Sequence, residues 1–288
     1  MGKWQELQQS ARHWGRRLQL RPEDRPAAGG EDSPIEMLSF RAHSDSRGGL
    51  LGRTGVRGLR PTREQRTILI LLGAMMVLIS VLYQFALGRW LLYPFVLLSV
   101  IFHEFGHALM VWLTGGRVGK IVIEWTESGY TSFTGGWPCL ILPAGYIGSS
   151  LAGGVLLFMA FGHRPARYTA MVVLGILLVT LYYSHGLFTV LMALLLAAII
   201  LGAIIYQEGL YTRHFVLFLC AICALQGILS ILYTTIFHTI KDSDAYQFAQ
   251  RCSVLLPAVF YGLLWLVISL LIILVSILAG LFVFQRRP

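Results

Sequence analysis

Asparagine is absent from the 288 residues, so the chain carries no N-glycosylation acceptor to mark which of its loops faces a lumen. Charge is scarce as well. Charged residues make up 13% of the chain against 56% hydrophobic ones, and the mean hydropathy is +0.68. That excludes an ordinary soluble domain of this size, which needs more charged surface to stay dissolved. The four cysteines, Cys139, Cys220, Cys223 and Cys252, lie in or beside apolar segments, and their spacing is not that of a disulfide framework. Cys220 and Cys223, one turn apart, read as small apolar residues on a helix face rather than as a metal or redox pair. No short apolar stretch followed by a small-residue cleavage site occurs near the start, so the first span is expected to act as its own membrane signal. Glu6 stands where a myristoylation signal needs Ser or Thr.

The charge that is there is unevenly placed. Residues 1–67 hold 13 of the 23 basic and 8 of the 14 acidic residues. Pro22, Pro26, Gly29, Gly30 and Pro34 interrupt any helix in that region, so residues 1–66 read as a basic, largely disordered tail. Within it Trp4, Leu7, Ala11, Trp14 and Leu18 recur at helical spacing, which suits either a short helix on an anionic membrane surface or an unstructured tail. Residues 67–288 read as a membrane-embedded domain whose partner is the lipid bilayer, and no nucleic-acid partner is expected.

Seven apolar segments follow, at 68–87, 91–113, 140–161, 168–183, 187–206, 215–237 and 255–284. Most approach the roughly 20 residues that cross a bilayer core. Trp90, Tyr93, Trp137, Tyr168, Tyr206 and Tyr211 sit at segment ends, where amphipathic rings favour the interface. Residues 120–125 and 130–133 are β-prone runs flanked by Gly115-Gly116 and Gly135-Gly136, which predicts a β-hairpin directly after the second span. The expected fold is an all-α polytopic membrane protein with about seven transmembrane helices and that small hairpin. Six arginines in 47–66 precede the first span, so the tail is expected in the cytosol, and seven crossings would put the other end of the chain on the opposite side.

The second span carries His103-Glu104-Phe105-Gly106-His107. Imidazoles four residues apart project from one helix face, a turn apart, and can bind one zinc ion. Zinc lowers the pKa of a bound water to about 7, and Glu104, beside the two ligands, can take its proton as general base and later hand it to a leaving amine. Three ionisable side chains within five positions of an apolar span are costly facing lipid, which favours a functional reading over a polar helix contact.

A third ligand is needed, with a fourth position left for water. The carboxylates after the motif are Glu124, Glu127, Glu208, Asp242 and Asp244. The first two fall in the hairpin, where solvent reaches them. Glu208 follows an odd number of crossings and so faces the wrong side. Asp242 and Asp244 precede the last span, and the four intervening spans return them to the motif's side. Ser243 is placed to cap a helix over 244–252 and fix Asp244 in its first turn, which makes Asp244 the preferred ligand over Asp242. In the third span, Ala144, Gly148 and Ala152, and likewise Gly145, Ser149 and Gly153, are spaced by four; such ridges let membrane helices approach closely, here either the motif helix or another.

His103 to His107 within a span, the Gly-rich hairpin, Pro143 to Gly148, and Ser243-Asp244-Ala245 before a last span together resemble the bacterial-type B subgroup of the site-2 protease superfamily, across about residues 90–265. The resemblance implies a zinc-dependent intramembrane endopeptidase whose substrate is itself a membrane-spanning protein. Mainstream members carry their third ligand in an Asp-Gly motif, which this chain lacks. Two other readings fit the motif: a catalytically silent zinc-binding membrane protein that holds client helices, or a transporter whose His and Glu residues line a path.

Overall fold

A computed structural model describes residues 61–206, 211–237, 241, 243–253 and 255–285, without the side chains of His163 and residues 235–237. The surface helix expected within 4–18, most of the tail, Glu208 and Asp242 lie outside the described residues.

The elements run α1 (Arg63–Leu82), α2 (Ala86–Leu113), β1 (Arg117–Ile123), β2 (Gly129–Thr134), α3 (Pro138–Ala160), α4 (His163–Tyr183), α5 (Leu187–Ile205), α6 (Thr212–Ile231), α7 (Asp244–Arg251) and α8 (Ala258–Val283). A single π-helical turn, Leu232–Phe237, extends α6. Among the described residues, seven helices, all but α7, are long and apolar enough to cross a membrane. A helix is the form such segments must take, because lipid offers the backbone no hydrogen-bond partners. α1 begins five residues before its apolar stretch. The Thr62 hydroxyl accepts from the Gln65 backbone N–H while the Gln65 side chain accepts from that of Thr62, a capping box that adds a polar first turn.

α2 and α3 pack side by side over the small-residue ridge. A Cβ on Gly106 would strike the backbone of Ala144, and one on Gly148 would press on Gly106, so the two helices meet backbone to backbone. The second ridge divides: Gly145 faces α2, whereas Gly153 faces Cys223 of α6.

The bundle has two ends. At the site end, Trp137 at the start of α3 donates its backbone N–H to Thr114 at the end of α2. At the far end, Arg213 of α6 donates to the carbonyls of Ala160 and Phe161 at the end of α3, and a Cβ on Gly280 of α8 would strike the Phe161 ring. Gln65, in the first turn of α1, donates to the carbonyls of Gly280 and Leu281.

The hairpin forms where expected, with Arg117 opposite Thr134 and Ile123 opposite Gly129. It folds back along α2: Thr131 lies against Glu104, Gly129 against Glu104 and Val100, and the Trp125 carbonyl accepts from the Tyr93 hydroxyl. The outer edge of β1 is covered, because the Ile123 N–H donates to the Thr189 hydroxyl and the Ile121 carbonyl accepts from the His185 N–H.

One expectation is overturned. Cys139 and Cys252 are disulfide-bonded, with Cα atoms 5.5 Å apart. The partners are 113 residues apart, and packing of α7 against the start of α3 brings them together, so sequence spacing could not reveal them. Cys220 and Cys223 are free and buried, as apolar residues on a helix face would be.

Candidate metal centre

His103 and His107 lie in the second half of α2, facing α3. Their Nε2 atoms are 3.0 Å apart. Asp244, the first residue of α7, places Oδ2 2.9 Å from His103 Nε2 and 3.3 Å from His107 Nε2. Ser243 caps that helix by accepting from the Tyr246 N–H at 3.4 Å, which orients its first turn. Burial opposes the charge on Asp244, but the two imidazoles outweigh it and hold the carboxyl well below the usual carboxylate range.

Among the described residues, His103, His107 and Asp244 are the one His/Cys/Asp/Glu group whose ligand atoms cluster closely enough for a metal, all within 4.8 Å of one another. Two imidazole nitrogens and one carboxylate oxygen are a donor set that zinc accepts, with one position left open. The orientation of the rings fits as well. His107 Nδ1 donates to the Ile141 carbonyl at 2.8 Å, which leaves the Nε2 lone pair directed at the cluster. Tyr146 packs edge-on against His103, ring centroids 4.6 Å apart. Gly145 closes the site from α3: any Cβ there would overlap both imidazoles.

Glu104 is buried next to the cluster. Thr131 of β2 donates its hydroxyl to Glu104 Oε2 at 2.7 Å, so the hairpin fixes the carboxylate's direction. A cavity of about 440 Å³ opens on the cluster and is lined by Glu104, Thr131, Tyr146, Gln226, Ser230 and Thr234 among others. Glu127, at its rim, is exposed and accepts from the Tyr83 hydroxyl; burial first and Glu127 second push that phenol up to about 12, so it stays a donor.

Thr131 and Tyr146 were not singled out from sequence as site residues, and Gly145 was named only as part of a small-residue ridge that could pack on the motif helix. Signals for two features existed. Gly129, Thr131 and Phe133 alternate along one hairpin face, and Gln226, Ser230 and Thr234 recur every four residues in an otherwise apolar helix.

A family model described as Peptidase M50B-like matches residues 67–276, which takes in every described helix except the first turn of α1 and the end of α8. No curated protein and no solved structure matches the chain.

Proposed function

The chain belongs to the Peptidase M50B-like family, and we propose that it is a zinc-dependent intramembrane endopeptidase that hydrolyses a peptide bond of a membrane-spanning substrate. The observation that carries this reading is the convergence of His103, His107 and Asp244 within 4.8 Å, beside a buried carboxylate that is not itself in the cluster. When bound, zinc would supply a Lewis acid that polarises a carbonyl and makes water acidic near neutral pH. His103, His107 and Asp244 would hold it. Glu104, aimed by Thr131, takes a proton from water at its Oε atoms and delivers it to the leaving amine. α3 excludes lipid from one side through the Gly106–Ala144 contact, and the cavity admits an extended segment from the other.

A substrate helix hides its backbone in its own hydrogen bonds and must be extended before cleavage. An exposed strand edge can hold an extended segment by backbone pairing. The β1 edge is occupied by residues 185 and 189. The β2 edge borders the cavity through Gly129, Tyr130 and Thr131, so it is the edge available for pairing.

The test compares wild type with Glu104→Gln on one membrane-embedded substrate, with zinc measured in both. The variant should keep its zinc and lose cleavage by at least about a hundredfold. Undiminished cleavage, or wild-type protein that takes up no zinc on reconstitution, would end the reading.

A further inference from the structure

The cavity on the metal centre carries opposite charges on its two sides. Glu127 and Arg251 both line it, both are exposed, and among the described residues neither forms a salt bridge. They flank the metal cluster along α2. Glu127 is in the hairpin turn, two residues after Trp125, whose carbonyl accepts from Tyr93, ten residues before His103. Arg251 ends α7 next to Cys252, which is bonded to Cys139 in the first turn of α3. Trp137, just before that turn, is hydrogen-bonded to Thr114, seven residues after His107. Glu127 therefore lies towards the start of α2 and Arg251 towards its end, with the cluster between them.

The backbone at Glu127 is a second observation. The Glu124 N–H donates to the Ser128 carbonyl and closes a three-residue loop, Trp125-Thr126-Glu127. The last residue of such a loop takes the left-handed conformation that suits glycine. Glu127 takes it with φ 62°, the one non-glycine residue to do so among the described residues. A carboxylate thus stands where glycine would be less strained. The Tyr83 hydroxyl, itself hydrogen-bonded to Gln226, donates to Glu127 Oε2 at 2.7 Å and fixes that carboxylate at the cavity rim.

The distances suit a peptide lying across the site. Asp244, Gln247 and Arg251 fall on one face of α7, and all three line the cavity. Seven helical residues put Arg251 about 10 Å beyond Asp244. An extended chain covers that length in about three residues. On the other side, Thr131, which touches Glu104, is four residues from Glu127. β2 runs away from Glu127, from Gly129 to Thr134. A segment paired antiparallel to it, the more stable arrangement, runs from the Arg251 side to the Glu127 side.

We propose that Arg251 and Glu127 are specificity-determining residues, and that the substrate carries an acidic residue about three positions before the bond cut and a basic residue about four positions after it. Arg251 pairs with the first and Glu127 with the second. This rests on the protease reading and adds the substrate's charge order to it. Both substrate charges are costly in lipid, so such a segment leaves its span for the cavity more readily than an apolar one.

The test uses five single-span peptides in detergent micelles, identical except at two positions seven residues apart. In chain order these are acid–base, base–acid, acid–acid, base–base and a pair of serines. Full-length wild type, Glu127→Lys and Arg251→Glu are compared on kcat/KM, with zinc measured in each. Wild type should prefer acid–base over the serine peptide by about three- to fivefold per charge and disfavour base–acid. Glu127→Lys should move the preference to acid–acid, and Arg251→Glu to base–base. A gain on one peptide with a loss on another is not what misfolding produces. Equal rates on all five peptides, a preference for base–acid, or an unmoved preference in both variants overturns the proposal. Binding of the same peptides, fluorescently labelled, to Glu104→Gln protein should follow the wild-type ranking without turnover, and equal binding of all five also overturns it. A wild type that binds the peptides and cuts none would remove the protease reading, while the binding ranks would still decide the charge order.

Discussion

α2 and α8 are the two longest helices, 28 and 26 residues, and both are apolar enough to cross a bilayer. Of the most apolar stretch of each, 61% is inside the protein for α2 and 17% for α8. α8 turns Leu263, Val267, Leu270, Leu274 and Phe282 outward, and its buried hydroxyls are satisfied: Ser269 accepts from Ser150 of α3 and Tyr261 donates to the Ser253 carbonyl. α2 is wrapped by α3, the hairpin and α6, and within that wrapping it buries Glu104 and His107. Hydrophobicity alone qualifies both helices for the membrane. Where the ionisable residues fall decides which one the rest of the chain must enclose, since lipid cannot pair them.

The largest effect expected from breaking this contrast is at the ligands. His107→Ala or His103→Ala should bring bound zinc well below one per chain, because two remaining ligands do not make a zinc site. Asp244→Ala should weaken retention as well, while leaving α8 and the lipid-facing surface unaltered. Metal content of purified variants measures this. Normal zinc in Asp244→Ala would remove α7 from the site.

Next comes Gly145→Ala. One methyl group at that position overlaps both imidazoles, so either the rings rotate off the metal or α3 moves away from α2. Zinc retention should fall almost as far as in the histidine variants although no ligand has changed. A variant that keeps full zinc would show that the α2–α3 contact is looser than its backbone packing implies.

Much of this was legible in the sequence, for physical reasons that differ from part to part. The apolar segments and the hairpin are local patterns, readable from hydrophobicity and from period. His103, Glu104 and His107 share one helix, so their geometry follows from spacing. Asp244 was reachable by parity, because the crossings between the end of α2 and the start of α8 are all ordinary ones. α1 was legible in the same way as the other apolar segments, since its hydropathy is that of a spanning helix. The Cys139–Cys252 bond and the Thr131–Glu104 contact depend on elements that meet only in three dimensions, so no local pattern announces them.

Thr131→Val tests a smaller effect. Valine keeps the branched shape and β-strand preference and removes the hydroxyl that donates to Glu104. Groups that orient a reacting or ligating side chain are worth roughly 10- to 100-fold. Cleavage should drop by about that factor with zinc content unchanged, which separates aiming of the carboxylate from holding of the metal. Loss of zinc in this variant would mean that the hairpin supports the ligands rather than Glu104.

The smallest effect belongs to the lipid-facing side of the contrast. Gly73 in α1, Gly175 in α4 and Gly202 in α5 are exposed, and a Cβ at any of them would meet nothing within 4 Å. Their helical backbone leaves room for alanine, which gives up less conformational freedom than glycine when the helix forms, an effect of roughly 0.5–1 kcal/mol per site. Gly202→Ala should therefore leave zinc content and cleavage as in wild type and raise the midpoint of unfolding in detergent slightly. The same substitution is expected to disable the protein at Gly145 and to go almost unnoticed at Gly202, since the first position is pressed against two imidazoles and the second against lipid. A Gly202→Ala protein that loses zinc would show that α5 is packed against the site and that the boundary between the enclosed and lipid-facing halves is drawn in the wrong place.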